Sequence, residues 1–290
     1  MQPIKAYCLG WKALFKSKIM WLFLFTANFL FALIVALPIK TLFNSAAANS
    51  LSINESLNRF DFTFLSDILN QYNMSIPIIS NQLIMVIALY LLFSILLSGG
   101  IIYVFYLNDK FSFGNFGKGS FKFFWRYLRL SIYFLVIQSL LIYGAYKCYV
   151  IFSGGLNPFE MESDSSLISA FKIVAPIYML LFIIVKLIQD LIKIEIIKSD
   201  ENLLIKPIMS ALNTIAKNFF SFLLLYLLNV IVAIGFFAFY FLIKNLFPIS
   251  SQTVLPLFIL SQLFILCRIA LKLVNYKSAV ELFKAKVEEL

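Results

Sequence analysis

The chain has 290 residues, of which 62% are hydrophobic, 17% aromatic and only 13% charged, and its formal net charge is +10. Soluble domains carry about 45–50% apolar residues, so this composition excludes an ordinary soluble fold. Histidine is absent, which removes His-assisted nucleophiles, His-ligated metals and His-ligated haem from consideration.

The first eighteen residues form a basic amphipathic stretch, with Lys5, Lys12, Lys16 and Lys18 ahead of a full-length apolar run. It is expected to stay in the mature protein rather than to be cleaved as a secretory signal. The apolar runs then read as six spans, at residues 19–39, 83–107, 130–152, 168–188, 219–243 and 254–274. Each is close to or above the ~18–20 residues that cross a hydrocarbon core of about 30 Å. The expected fold is therefore all-α, a polytopic membrane protein forming a single integral domain over residues 1–290. With the N-terminus inside, nineteen Lys and Arg residues fall on inner segments, and five (Lys40, Arg59, Lys147, Lys172 and Lys244) remain for the outer half. That bias predicts cytoplasmic N- and C-termini. It also assigns the net charge to anionic headgroups on the cytoplasmic side rather than to nucleic acid.

The first outer loop, residues 41–81, places Leu57, Phe60, Phe64, Leu65, Ile68 and Leu69 at helical spacing beside Asp61 and Asp67. This predicts a short amphipathic helix against the outer leaflet or capping the bundle. The second outer loop, SGGLNPFEMESDSS, is acidic and turn-rich, and the third is little more than a turn. Cys8, Cys148 and Cys267 have neither metal nor redox spacing, so three unpaired thiols are expected. After the last span, LVNYKSAVELFKAKVEEL keeps helical amphipathicity and is expected to prolong the sixth helix or to fold onto the headgroups.

Three segments correspond when Lys16, Arg126 and Lys217 are aligned: GWKALFKSKIMWLFLFTANFLF, SFKFFWRYLRLSIYFLVIQSLL and ALNTIAKNFFSFLLLYLLNVIV. Each starts as an interfacial amphipathic helix and continues into a span. The reading is three pseudo-repeated helical hairpins, at about 1–110, 111–200 and 201–290. In the same register Asn28, Gln138 and Asn229 each lie twelve positions past the basic residue. Carboxamides are costly in hydrocarbon and turn inward to hydrogen-bond, so these residues predict an intramembrane polar layer, with Gln262 as a fourth candidate.

Lys186 and Asp190 stand one helical turn apart near the inner boundary and can neutralise each other. Arg268 lies deeper in its span, with Asp190 or Glu195 as natural partners if the helices adjoin. There is no GxSxG elbow, Walker A loop or HExxH helix. The Gly114, Gly117 and Gly119 cluster reads as a basic, aromatic connector whose Lys118, Lys122, Trp125 and Arg126 meet headgroups. No catalytic residue, cofactor site or metal site is assigned.

The connector IEIIKSDENLLIKPIMSALNTIAKNFFSFLLLYLL, together with FKFFWRYLRLSIYF, resembles bacterial six-span membrane proteins of unknown function and the membrane domain attached to some glycerophosphodiester phosphodiesterases. The shared pattern is a charged exit, a small polar turn, an Ala/Ser amphipathic helix with a basic boundary residue, and an apolar run. The resemblance implies a bacterial inner-membrane location and a lipid-related role, and it carries over no catalytic residue.

Two functions follow as expectations. The first is a non-catalytic scaffold or accessory subunit with a membrane-protein partner, since interfacial helices and aromatic faces are plentiful and convergent reactive groups are missing. The second is a transporter of a lipid or small amphipathic molecule, in which the four amides form the polar path and Arg268 attracts an anionic headgroup. A cavity at the amides separates the second from the first.

Overall fold

The computed structural model describes residues 2–48, 75–108, 111–153, 164–247 and 253–288. These residues form seven helices and no strand: α1 (Gln2–Lys16), α2 (Lys18–Ala48), α3 (Ser75–Leu107), α4 (Phe113–Phe152), α5 (Asp164–Ser199), α6 (Ile205–Leu246) and α7 (Val254–Glu288). Helices α2 to α7 are each long and apolar enough to cross a membrane, as the run lengths predict. Only 11–28% of the most apolar window of each span is buried. Faces such as Leu135, Val136 and Leu140 on α4, or Ile231, Ile234 and Phe237 on α6, therefore need lipid as their solvent. The chain is an all-α polytopic membrane protein.

All six long helices outrun the apolar stretches read from sequence. The amphipathic segments that open α4 and close α5 and α7 are continuous with their spans, whereas the one that opens α6 meets its span at a kink at Asn218. The helix expected at residues 57–69, and most of the second outer loop, lie outside the described residues. The C-terminal stretch prolongs the last helix to Glu288.

The chain divides into two compact units. Unit 1 comprises Met1–Ala13, Ile95–Val230 and Val274–Leu290, and unit 2 comprises Leu14–Ser94 and Ile231–Leu273.

Within unit 1 the helices follow one another in a closed circuit. Gly10 of α1 lies against α7 so closely that a Cβ there would stand 2.2 Å from Ser278 Oγ and 2.8 Å from the Val274 carbonyl. Lys277 of α7 donates to the Phe105 carbonyl of α3 at 3.2 Å and to Asn108 Oδ1, while Lys284 donates to the Tyr106 carbonyl at 2.5 Å. These ammonium groups satisfy carbonyls that the C-terminus of α3 leaves open, where the helix dipole favours cations. Gly99 and Gly100 then admit α4, a Cβ on Gly100 falling 2.4 Å from Ser120 Oγ and 2.8 Å from the Phe116 carbonyl. From α4 the Tyr127 hydroxyl donates to the Lys193 carbonyl of α5 at 2.7 Å. Helix α6 meets α5 where Ser210 donates to Glu195 at 2.8 Å. The Tyr7 hydroxyl of α1 reaches Asn229 of α6 at 3.5 Å and closes the circuit.

Small residues make three of these crossings possible. Gly10, Ser120 and Ala211 each lie six positions before Lys16, Arg126 and Lys217, and all three are buried, Ser120 at 2% and Ala211 at 0% exposure. Small side chains at a contact let backbones approach, which in lipid is a main source of helix association. The same register marks two irregularities. The helix breaks at Ser17, one residue after Lys16, and kinks at Asn218 (φ −128°, ψ 26°), one residue after Lys217. Helix α4 runs straight through Tyr127, the corresponding position.

Unit 2 holds α2, the first part of α3, the later part of α6 and the first part of α7. Trp21 donates its indole N–H to the Leu266 carbonyl at 3.0 Å. Phe31 packs against Tyr90 and Phe93 with ring centroids 5.4 and 5.2 Å away. The Tyr240 and Phe264 rings stack at 4.8 Å.

Candidate functional site

Unit 2 holds a half-open cavity of about 540 Å³, lined along α2 from Phe25 to Ala36, by Val86, Ile87 and Tyr90 of α3, and by the α7 face that carries Phe258, Gln262, Ile265, Arg268 and Ile269. The α7 residues recur at spacings of three and four, so one stripe of the helix faces the space. Its walls are mainly apolar and aromatic, with a few polar groups, the usual chemistry of a small-molecule pocket of roughly 300–1,000 Å³.

The polar groups differ in what remains open to a ligand. Asn28 Nδ2 donates to the Leu24 carbonyl at 2.7 Å, and its Oδ1 accepts from the Tyr90 hydroxyl at 2.7 Å. Each end of that amide makes one hydrogen bond to the wall, and one N–H and one oxygen lone pair remain. Gln262 Oε1 is buried with no hydrogen-bond partner among the described residues. Arg268 is exposed, and no described carboxylate stands within ion-pair distance of it. Arg268 thus brings a guanidinium without a described carboxylate partner to the cavity lining.

The structure thus brings Asn28, Gln262 and Arg268 to one cavity in unit 2. Gln138 and Asn229 belong to unit 1. Gln138 is half-buried on α4 and lines neither this cavity nor the smaller one of about 240 Å³ between α4 and α5. Asn229 accepts from Tyr7, whose phenol is pushed up by burial. The Tyr90 partner of Asn28 has no signal in the sequence, because the two are 62 residues apart.

A second polar constellation fills the interior of unit 1. Asp190, at 0% exposure, faces Lys186 Nζ at 3.1 Å and Lys193 Nζ at 3.7 Å through Oδ1. Its Oδ2 accepts from the Tyr226 hydroxyl at 3.2 Å. Tyr127, Tyr276 and Asn275 are buried beside it. Oδ1 meets two ammonium groups at ion-pair distance without an aligned hydrogen bond. The expected Lys186–Asp190 pair is present, and Lys193, one turn on, joins it. Glu195, the other partner expected for Arg268, is occupied by Lys198 at 3.5 Å and Ser210 at 2.8 Å. A carboxylate enclosed by two ammonium groups of its own helix and a phenol of α6 ties α5 to α6, which suits a structural pin.

A third cluster lies where α5 ends. Asp200 adopts a left-handed conformation (φ 51°), and its carboxylate takes Lys122 at 2.5 Å and Arg126 at 2.8 Å. Arg126 also donates to Asn202 Oδ1 at 2.6 Å, and Arg129 to the Asn202 carbonyl at 3.3 Å. The hydrogen bonds from Lys122 and then Arg126 hold the Asp200 carboxyl below the usual carboxylate range. Asn108, at the end of α3, is the other non-glycine residue with positive φ (57°) among the described residues and is gripped by Lys277 in the same way. The basic residues of α4, expected to meet headgroups, are thus partly committed to the α5–α6 connection.

All three cysteines are unpaired. No family model matches the chain, and no curated protein or solved structure matches it significantly.

Proposed function

We propose that the protein binds a small amphipathic, lipid-like molecule in the unit 2 cavity and moves it within or across the membrane. The observation that carries this reading is the cavity itself: about 540 Å³ between apolar spans, with an amide and an unpaired guanidinium in its lining. A cleft of this size between apolar spans, with a few polar groups in its lining, has the chemistry of a small-molecule site. The reading includes a non-enzymatic role, a bacterial inner-membrane location and cytoplasmic termini, supported by the charge bias and by the resemblance drawn from the connector sequence. It also takes the chain as three pseudo-repeated hairpins, at about 1–110, 111–200 and 201–290, supported by Gly10, Ser120 and Ala211 at one register.

Reconstitution in proteoliposomes tests it. Movement of a fluorescent single-chain lipid should exceed that in protein-free vesicles, and Ala32→Phe, which fills the cavity from α2, should bring it down to background while leaving insertion intact. Rates equal to protein-free vesicles, together with recovery of a stoichiometric membrane partner, would favour scaffolding.

A further inference from the structure

We infer that the occupant of the cavity is an anionic amphiphile with a single acyl chain, its charged group paired with Arg268. This rests on reading the cavity as a ligand site and adds the ligand's shape and charge.

Shape comes from the walls. The lining of α2 runs from Phe25 to Ala36, eleven steps of about 1.5 Å, or about 16 Å along the helix. Spread over that length, about 540 Å³ leaves a mean section of about 34 Å². An alkyl chain in van der Waals contact on all sides, with carbons roughly 4 Å apart, occupies on the order of 20 Å². One chain lies along this wall with room for bends, and a second would extend past the lined space through the cavity's open side. The long walls carry Phe25, Phe29, Phe31, Val35 and Ile87, which offer a chain only dispersion contacts.

Charge comes from the ionisable side chains in the lining. Asn28 and Tyr90 bond each other and the α2 backbone, so these neutral groups hold the wall and set no charge preference. Arg268 has no carboxylate partner among the described residues, and no acidic side chain lines the cavity to welcome a cation. The guanidinium fork matches phosphate and carboxylate geometry, and its attraction is strong where water is scarce. A headgroup phosphate and a fatty-acid carboxylate share this chemistry.

The test is native mass spectrometry of the purified protein in a neutral detergent, titrated with dodecyl phosphate, dodecanoate, dodecyltrimethylammonium and a two-chain phosphatidate. The two single-chain anions should be retained and the cation should not, and the ratio of phosphate to carboxylate binding identifies the preferred headgroup. Arg268→Gln should weaken dodecyl phosphate about tenfold or more, the scale of one lost charge-assisted pair, while Arg268→Lys keeps part of it at an unchanged melting temperature. Equal retention of anion and cation, or an unaltered Arg268→Gln variant, would overturn the charge assignment and leave the cavity reading standing. Phosphatidate binding as tightly as dodecyl phosphate would overturn the single chain, and competition by inorganic phosphate alone would overturn the amphiphile. If no probe is retained, the cavity is not a ligand site and both readings fall.

Discussion

Asp190 and Arg268 are both charges on apolar helices, and they are handled in opposite ways. Asp190 is enclosed by Lys186, Lys193 and Tyr226. Its replacement by asparagine keeps the shape and the phenol contact but leaves two ammonium groups facing a neutral amide. Breaking a buried pair from one side typically costs about 3–5 kcal/mol. Asp190→Asn should therefore lower unfolding stability in detergent by about 3 kcal/mol, near the bottom of that range because Lys186 remains 37% exposed. Asp200, at 48% exposure, is screened by water, and Asp200→Asn should cost less than about 1 kcal/mol. Its carboxyl is nevertheless depressed by Lys122 and Arg126. A depressed carboxylate contributes stability above its unfolded pKa of about 3.9 and loses it as pH falls through the lower folded value. Proteolysis at the 200–204 connection should accordingly stay slow from neutrality down to about pH 4 and rise only below it. A rise centred near neutral pH would contradict this assignment. Of these residues, Lys186 and Asp190 were legible as a pair because they share one helix face. Tyr226, thirty-six residues away, was not, since only tertiary packing brings it there.

Helix crossings carry a separate set of consequences. Gly100 lies under the Phe116 carbonyl and Ser120 Oγ, whereas nothing stands within 4 Å of a Cβ built on Gly117. Gly100→Ala must push backbone aside and should destabilise by about 1–3 kcal/mol, as overpacking does. Gly117→Ala removes helix-interior glycine at no steric cost and should stabilise by about 0.5–1 kcal/mol. Thermal unfolding of the two variants side by side checks both signs, and two equal shifts would show that the α3–α4 contact is looser than described. The spans themselves were plain in the sequence, because twenty consecutive apolar residues admit few alternatives. Their amphipathic extensions were expected to continue into the spans, and the C-terminal stretch either to prolong the sixth helix or to fold onto headgroups; the last helix runs on to Glu288. The breaks at Ser17 and Asn218 show how finely that boundary is set: one residue past a basic position the chain bends in two places, and at Tyr127 it does not.

At the scale of the whole molecule, the run lengths predicted an all-α polytopic protein and the helices bear that out. The amides were expected as one layer. Asn28 and Gln262 share a cavity, while Gln138 and Asn229 lie in the other unit, because equal sequence offset does not fix which way each helix faces. Orientation rests on charge. Cys8 is exposed on α1, so in a variant lacking Cys148 and Cys267 a membrane-impermeant maleimide should label it only from the cytoplasmic side. Labelling from outside would invert the topology. The measurement that bears most directly on the central claim is a cryo-EM structure in lipid nanodiscs. It should show an elongated density along α2 between Phe25 and Ala36, with its polar end about 2.7–2.9 Å from the Arg268 guanidinium. A cavity closed by side chains, or a density whose polar end lies away from Arg268, would contradict the account.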